Sequence, residues 1–203
     1  MANGSREKIT IVVLGASGVG KTSLIEQFSK QCFNDCYSPT RQRSAYFVNV
    51  LINDRLHDVQ IIDLPTLVNF PKDGAYEKDY KNLRDASAYI LVFDCSSEKT
   101  FLYVSKIRKQ IQQWSKTVRR EAPPIAVVGN KYDVAGMSAA LRKEYANLIR
   151  KQWKCGYYET SAKFNWHVVL VFKELFVQMD QNSNKNASVK LNGTFRTSKC
   201  TIL

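Results

Sequence analysis

Residues 15 to 22 read Gly15-Ala16-Ser17-Gly18-Val19-Gly20-Lys21-Thr22, the pattern G-x-x-x-x-G-K-[ST], directly after the apolar run Ile11-Val12-Val13-Leu14. No other feature narrows the possible folds so far, because such a loop has to leave a buried strand and enter a helix. The glycines let the backbone turn tightly enough for successive N–H groups to face phosphate oxygens, Lys21 brings a mobile positive charge, and Thr22 offers a hydroxyl to Mg²⁺. A helix starting near Gly20 would add the positive end of its dipole. The dinucleotide fingerprint G-x-G-x-x-G is absent here, which disfavours a Rossmann reading. A nucleoside triphosphate is the expected ligand.

Short apolar runs alternate with helical periodicity along the chain. Strands are expected near Ile9–Leu14, Ala45–Ile52, Val59–Ile62, Tyr89–Phe93, Ile125–Val128 and Tyr157–Tyr158. That predicts an α/β fold of the P-loop NTPase kind, with a mostly parallel six-stranded sheet and helices on both faces. Asn53-Asp54 separates the second and third strands, so these two should form the one antiparallel hairpin. Phe101, Val104, Ile107, Ile111, Trp114 and Val118 recur at three- and four-residue intervals and mark the core face of a long helix. Leu141, Tyr145, Leu148 and Ile149 mark a second helix, and Val168, Val169, Val171, Phe172, Leu175, Phe176 and Met179 a more apolar last one. From Gln181 onward the chain is rich in Asn, Ser, Lys and Thr and cannot bury enough surface to order itself. Residues 1–180 are therefore read as one domain and 181–203 as a flexible tail.

A length of 203 residues with 44% hydrophobic content suits one well-buried core rather than two. No run of about 18 apolar residues occurs, and the polar start lacks an apolar signal core, so a soluble, cytosolic body is expected. Cys32, Cys36, Cys95, Cys155 and Cys200 lack paired metal spacing and are read as free thiols without zinc. The formal net charge of +12 asks for an acidic partner, either nucleic acid or the anionic inner leaflet of a membrane. Part of that charge, on Lys106, Arg108, Lys109, Lys116, Arg119 and Arg120, is read as the solvated face of the long helix.

Asn130-Lys131-Tyr132-Asp133 follows one expected strand and Thr160-Ser161-Ala162-Lys163 another, so both lie at strand carboxyl ends, where α/β sheets bind ligands. The phosphate loop, N-K-x-D, and E-T-S-A-K at Glu159 to Lys163 stand in the order and spacing of Ras-like small GTPases. From Lys8 to Asp180 the chain resembles that family. The resemblance implies a guanine nucleotide held by Gly15, Ser17, Gly18, Val19, Gly20, Lys21, Thr22 and Ser23 at the phosphates. Around the base it implies Asn130, Lys131, Asp133, Ser161, Ala162 and Lys163. A carboxylate at Asp133 can accept from the N1 and N2 donors of guanine. Adenine offers no such pair, and an unpaired buried acceptor costs about 1–3 kcal/mol. The stem of Lys131 would cover the base, and the Ala162 N–H would meet the guanine carbonyl.

The family pattern also aligns through Tyr37-Ser38-Pro39-Thr40. This implies that Phe33 packs on the guanine edge, that Tyr37 contacts the nucleotide, and that Thr40 grips Mg²⁺ and the γ-phosphate. With Thr22, and with Asp63 acting through water, Thr40 completes the implied metal set. A loop held only by such contacts orders with the triphosphate and relaxes after its loss.

The pattern breaks where the family reads D-x-x-G-Q and this chain reads Asp63-Leu64-Pro65-Thr66-Leu67. Leu67 stands where the relatives' glutamine orients the attacking water, and it has no group to do so, so no catalytic residue is assigned. Thr66 replaces the glycine whose N–H would follow the γ-phosphate, and Pro65 limits φ before it. Ser17 replaces a loop glycine where an arginine finger and the water would meet. Slow intrinsic hydrolysis is expected, with little help from the usual activating proteins. Pro71, Asp73 and Gly74 mark an enlarged loop that could carry another water-positioning group. Arg41-Gln42-Arg43 is basic where the archetypal effector segment is acidic, which disfavours effectors with a basic face. A basic first switch with a D-L-P-x second switch is most similar to the atypical Ras-like family 10 group.

The sequence ends Cys200-Thr201-Ile202-Leu203, a C-a-a-X box whose Leu favours a geranylgeranyl group on Cys200. Lys185, Lys190, Arg196 and Lys199 precede it, each adding up to about 1 kcal/mol near an anionic leaflet. The expected protein is a monomeric GTP/GDP switch that uses Mg²⁺ on the cytoplasmic face of the plasma membrane. Its expected partners are an effector and an exchange factor, and not nucleic acid. The alternative is a hydrolysis-deficient GTP-binding adaptor.

Overall fold

Uninterrupted runs of β-branched and aromatic residues suit strands buried on both faces, and helices must then cover each side of the sheet they form. The computed structural model describes residues 8–53, 55–71, 83–118, 121–134, 136–188 and 200–202. The runs become β1 (Lys8–Gly15), β2 (Ser44–Ile52), β3 (Arg55–Asp63), β4 (Ala88–Asp94), β5 (Ile125–Asn130) and β6 (Gly156–Glu159). The helices are α1 (Lys21–Lys30), α2 (Glu98–Thr117), α3 (Ala139–Asn147), extended by a π-helical turn at Leu148–Gln152, and α4 (Val168–Ser188). A three-residue strand, β7 (Cys200–Ile202), follows.

The sheet order is β6-β5-β4-β1-β3-β2-β7. β1 pairs in parallel with both β3 and β4, and β4, β5 and β6 continue in parallel. β2 runs antiparallel to β3, from Ser44 opposite Asp63 to Ile52 opposite Arg55, with Asn53 at φ 48° in the turn. Because the connections leave β1 in opposite directions, a crevice opens beyond its carboxyl end, where Gly15 stands. Alternation along β1 divides the core. Ile11 and Val13 pack under α1 and α4 with Leu24, Phe28, Phe172 and Phe176, while Val12 and Leu14 pack under α2 and α3 with Leu91, Phe101, Ile107 and Tyr145. Phe28 and Phe172 stack with ring centroids 3.7 Å apart, as do Phe101 and Tyr145 on the other face.

The six expected strands and the single hairpin among them form as read from the sequence. β7 adds a seventh strand, antiparallel to β2, with Cys200 opposite Ile52. The tail expected from Gln181 departs from that reading, since α4 continues to Ser188, in a stretch without Gly or Pro to stop a helix already nucleated. Residues 189–199 and 203, the rest of that tail, lie outside the described residues, as do Asp54, Asp73, Gly74, Arg119 and Arg120. Arg108, expected on the solvated face of α2, is buried. Its guanidinium lies 4.9 Å from the Trp153 ring centroid and donates to the Trp153 carbonyl at 3.3 Å. Conversely, Trp114 is half-buried, while Val118 is exposed at the C-cap of α2 and Val169 is exposed on the outer face of α4, beside the fully buried Val168.

Candidate functional site

β1 delivers Gly15 to the crevice, and the loop to α1 turns through Gly18 at φ 75° and Gly20 at φ 90°. Gly20 is required twice over. Its φ is left-handed, and a Cβ there would sit 2.4 Å from the Asn130 amide nitrogen. No side-chain oxygen caps α1, so its first-turn N–H groups, from Lys21 through Ser23, face the loop with the positive end of the helix dipole. Lys21 folds back over the loop, and its ammonium donates to the Gly15 and Ala16 carbonyls at 3.1 Å each. Burial lowers the Lys21 pKa, opposed by the charge of Asp63.

Asp63 ends β3 beside this lysine. Thr22 donates to its Oδ2 at 2.5 Å, and the Thr40 hydroxyl lies 2.9 Å from the Thr22 hydroxyl. Asp63 is 1% exposed, and its Oδ1 is buried without a hydrogen-bond partner among the described residues. Burial raises its pKa, and the Thr22 hydroxyl and the Lys21 charge oppose the rise. Two hydroxyls and a carboxylate with an unsatisfied buried oxygen form a hard donor set that suits Mg²⁺.

The base-side motifs converge on Asn130, which is 1% exposed at the end of β5. Its Nδ2 donates to the Val19 carbonyl at 2.9 Å and ties this motif to the phosphate loop. Its Oδ1 accepts from Thr160 Oγ1 and from the Ala162 N–H, both at 3.1 Å. The Ala162 N–H, expected to meet a guanine carbonyl, thus already has an intramolecular partner. Lys131, at φ 61°, stretches its stem along the site and places its ammonium 2.8 Å from Asp94 Oδ2. Burial alone would raise the Asp94 pKa, but hydrogen bonds from Lys131 and Ser96 outweigh it and hold the carboxyl below its ordinary range. Asp133 lies exposed in the turn that follows, while Ser161 is fully buried and accepts from the Phe164 N–H at 3.2 Å.

Residues 31–43 arch over this crevice, fastened at three points by their own side chains. Asp35 pairs with Lys163 at 3.1 Å, the Tyr37 and Ser17 hydroxyls lie 3.1 Å apart, and Thr40 meets Thr22. Phe33, within this segment, is half-buried. The Ser17 hydroxyl therefore holds a phenol above the phosphate loop, beyond the crowding expected of it. The segment after Asp63 lies against α2 instead. Leu64, Leu67 and Phe70 are buried in the core, and the Tyr103 hydroxyl accepts from the Leu67 N–H at 3.1 Å and donates to the Leu67 carbonyl at 2.8 Å.

Of the residues implied for nucleotide and metal, these contacts gather Gly15, Val19, Lys21, Thr22, Thr40, Asp63, Asn130 and Ala162 at the carboxyl ends of β1, β3 and β5, and Cys200 lies in β7 opposite Ile52. Sequence reasoning missed Asp35, Asp94 and Tyr103. Asp94 alone left a signal, as a carboxylate ending a strand in the crevice.

A model of the Ras family matches residues 10–181. The chain is 37% identical to human Ras-like protein family member 10B over 198 residues, which is 95% of this chain and 97% of that protein. It is 34% identical to human Ras-like protein family member 10A, covering 96% and 98% of the two chains. It is also 32% identical to human GTP-binding protein Di-Ras1, covering 95% and 96%.

Proposed function

The chain belongs to the Ras family of small GTPases, and from that premise we propose that it is a membrane-tethered guanine-nucleotide switch with slow intrinsic hydrolysis. The observation that carries the reading is the junction of Thr22, Thr40 and Asp63 at the mouth of the phosphate loop. It brings the first switch, the helix that receives the phosphates and the end of β3 within hydrogen-bond reach of one another. A Mg²⁺ ion bound there would neutralise charge on the β- and γ-phosphates.

The residues divide the remaining work. The N–H groups of the loop and of the first turn of α1 cradle phosphate oxygens, and Lys21 exchanges its two carbonyl partners for them. Asn130 holds the phosphate loop and the base motifs in one frame. Asp133, exposed at the crevice, is the acceptor for a guanine edge, and Lys131, drawn along the site by Asp94, covers the base. Asp35 and Tyr37 close the first switch over the nucleotide.

A second reading, a GTP-holding adaptor without useful hydrolysis, is favoured by one observation: the Leu67 side chain is turned into the core, 6% exposed. Single-turnover hydrolysis at saturating Mg²⁺ separates the two. A rate above that of GTP in buffer supports the switch, and one no faster supports the adaptor. The C-a-a-X sequence at Cys200 and the excess of basic residues support attachment to an anionic leaflet.

A further inference from the structure

The second switch of this chain is tied by several side chains to a single helix, α2. Besides the two Leu67 hydrogen bonds to Tyr103, the Phe70 N–H donates to Gln110 Oε1 at 2.8 Å, and the Gln110 amide donates to Asn69 Oδ1 at 3.0 Å. One turn away, the Lys106 ammonium donates to the Val68 carbonyl at 2.9 Å. Tyr103, Lys106 and Gln110 follow one another at three- and four-residue spacing, so they form one stripe along α2. The apolar side chains reinforce the polar ones. Leu67 and Phe70 are 6% and 3% exposed, and the Phe70 ring meets Tyr89 edge-on at 5.9 Å and lies 6.0 Å from Trp114. Burial pushes the Tyr103 phenol up to about 12, so the hydroxyl stays protonated and able to donate throughout the physiological range. None of these partners belongs to the crevice.

We infer that Tyr103, with Lys106 and Gln110, is a positioning set that pins the second switch to α2 whatever the γ-phosphate does. Nucleotide state is then reported by the first switch, whose ties run to the phosphate loop, Thr22 and Lys163. The same set fixes the backbone at position 67 with its side chain facing the core, away from any attacking water. The feature that sets this apart from a merely well-packed loop is the single phenol that satisfies both the N–H and the C=O of Leu67. Main-chain amides tied in this way exchange slowly only while the tie persists. The inference deepens the GTPase reading and rests on it only for its nucleotide-dependent arm.

Amide exchange of Leu67 and Phe70, followed by NMR in the full chain, tests it. Loaded with GDP or with a non-hydrolysable GTP analogue, the wild-type chain should exchange these two amides at rates within about twofold of each other, while Tyr37 and Thr40 slow markedly with the triphosphate. Tyr103→Phe removes only the hydroxyl and should speed Leu67 exchange by about tenfold, the loss expected for one part-buried hydrogen bond. Gln110→Ala should do the same for Phe70 and serves if the tyrosine variant folds poorly. A difference of about tenfold or more between the two nucleotide forms at Leu67 and Phe70 would overturn the inference. So would unchanged Leu67 exchange in Tyr103→Phe. If the chain retains no guanine nucleotide, the GTPase reading fails, and the effect of Tyr103→Phe on the nucleotide-free chain still decides the clamp.

Discussion

Asp94 shows how a single carboxylate outside every motif can shape the site. It lies at the end of β4, is 8% exposed, and spends its charge on Lys131 and on the Ser96 N–H and hydroxyl. Its pKa is depressed, so its folded form prefers the ionised state more than the unfolded chain does. The stability it contributes is therefore fully present above the ordinary pKa of 3.8 and is lost as the pH falls below that value. Asp94→Asn should lower the melting temperature at neutral pH, by a loss of about 1–2 kcal/mol for the charge-assisted bonds, and the gap to wild type should close in acid. A gap that persists unchanged below pH 3.8, followed by circular dichroism, would contradict the assignment. The same substitution frees the Lys131 ammonium and should weaken guanine-nucleotide affinity. Such a residue is hard to read from sequence, since its partner Lys131 stands just past the end of a different strand and parallel pairing of β4 with β5 brings Asp94 opposite Asn130.

Among the elements, the strands and the phosphate loop were legible because their information is local. An apolar run of four to eight residues followed by glycines and a lysine needs no distant partner to be understood. The packing of helices on the second switch was not legible. Tyr103 reaches Leu67 across 36 positions, and Arg108 reaches Trp153 across 45, so their roles depend on where α2 comes to rest on the sheet. Periodicity marked α2 as one apolar face and one basic face. The fold then buried an arginine from the basic side and exposed Val118 from the apolar one. The pair α1 and α4 is simpler, because Phe28, in the last turn of α1, stacks directly on Phe172. Phe172→Ala should destabilise the protein by about 3–5 kcal/mol in urea unfolding, since it opens a cavity under α1 as well as removing the contact. Nucleotide affinity should fall with it, because α1 presents the phosphate-binding N–H groups. A loss under about 1 kcal/mol would show that the two helices are held together elsewhere.

At the scale of the whole molecule, one sheet edge organises everything. The carboxyl ends of β1, β3, β4, β5 and β6 place the phosphate loop, Asp63, Asp94, Asn130 and the residues from Thr160 to Lys163 around one crevice, and the first switch spans it from Lys163 to Thr22. The second switch belongs instead to the face covered by α2, and the inferred Tyr103 clamp holds that face still while the first switch follows the ligand. The net charge of +12 suits the proposed attachment to an anionic surface, and β7 is laid along β2 at the opposite edge from β6. All of this depends on the crevice holding a guanine nucleotide. The direct measurement is the nucleotide content of the protein purified in magnesium-containing buffer, released by denaturation and resolved by chromatography, for the wild type and for Asp133→Asn. Stoichiometric GDP or GTP in the wild type, lost from Asp133→Asn and replaced on soaking by a xanthine nucleotide, is the expected result. Protein that carries no guanine nucleotide, or that takes up adenine and guanine nucleotides alike, would contradict it.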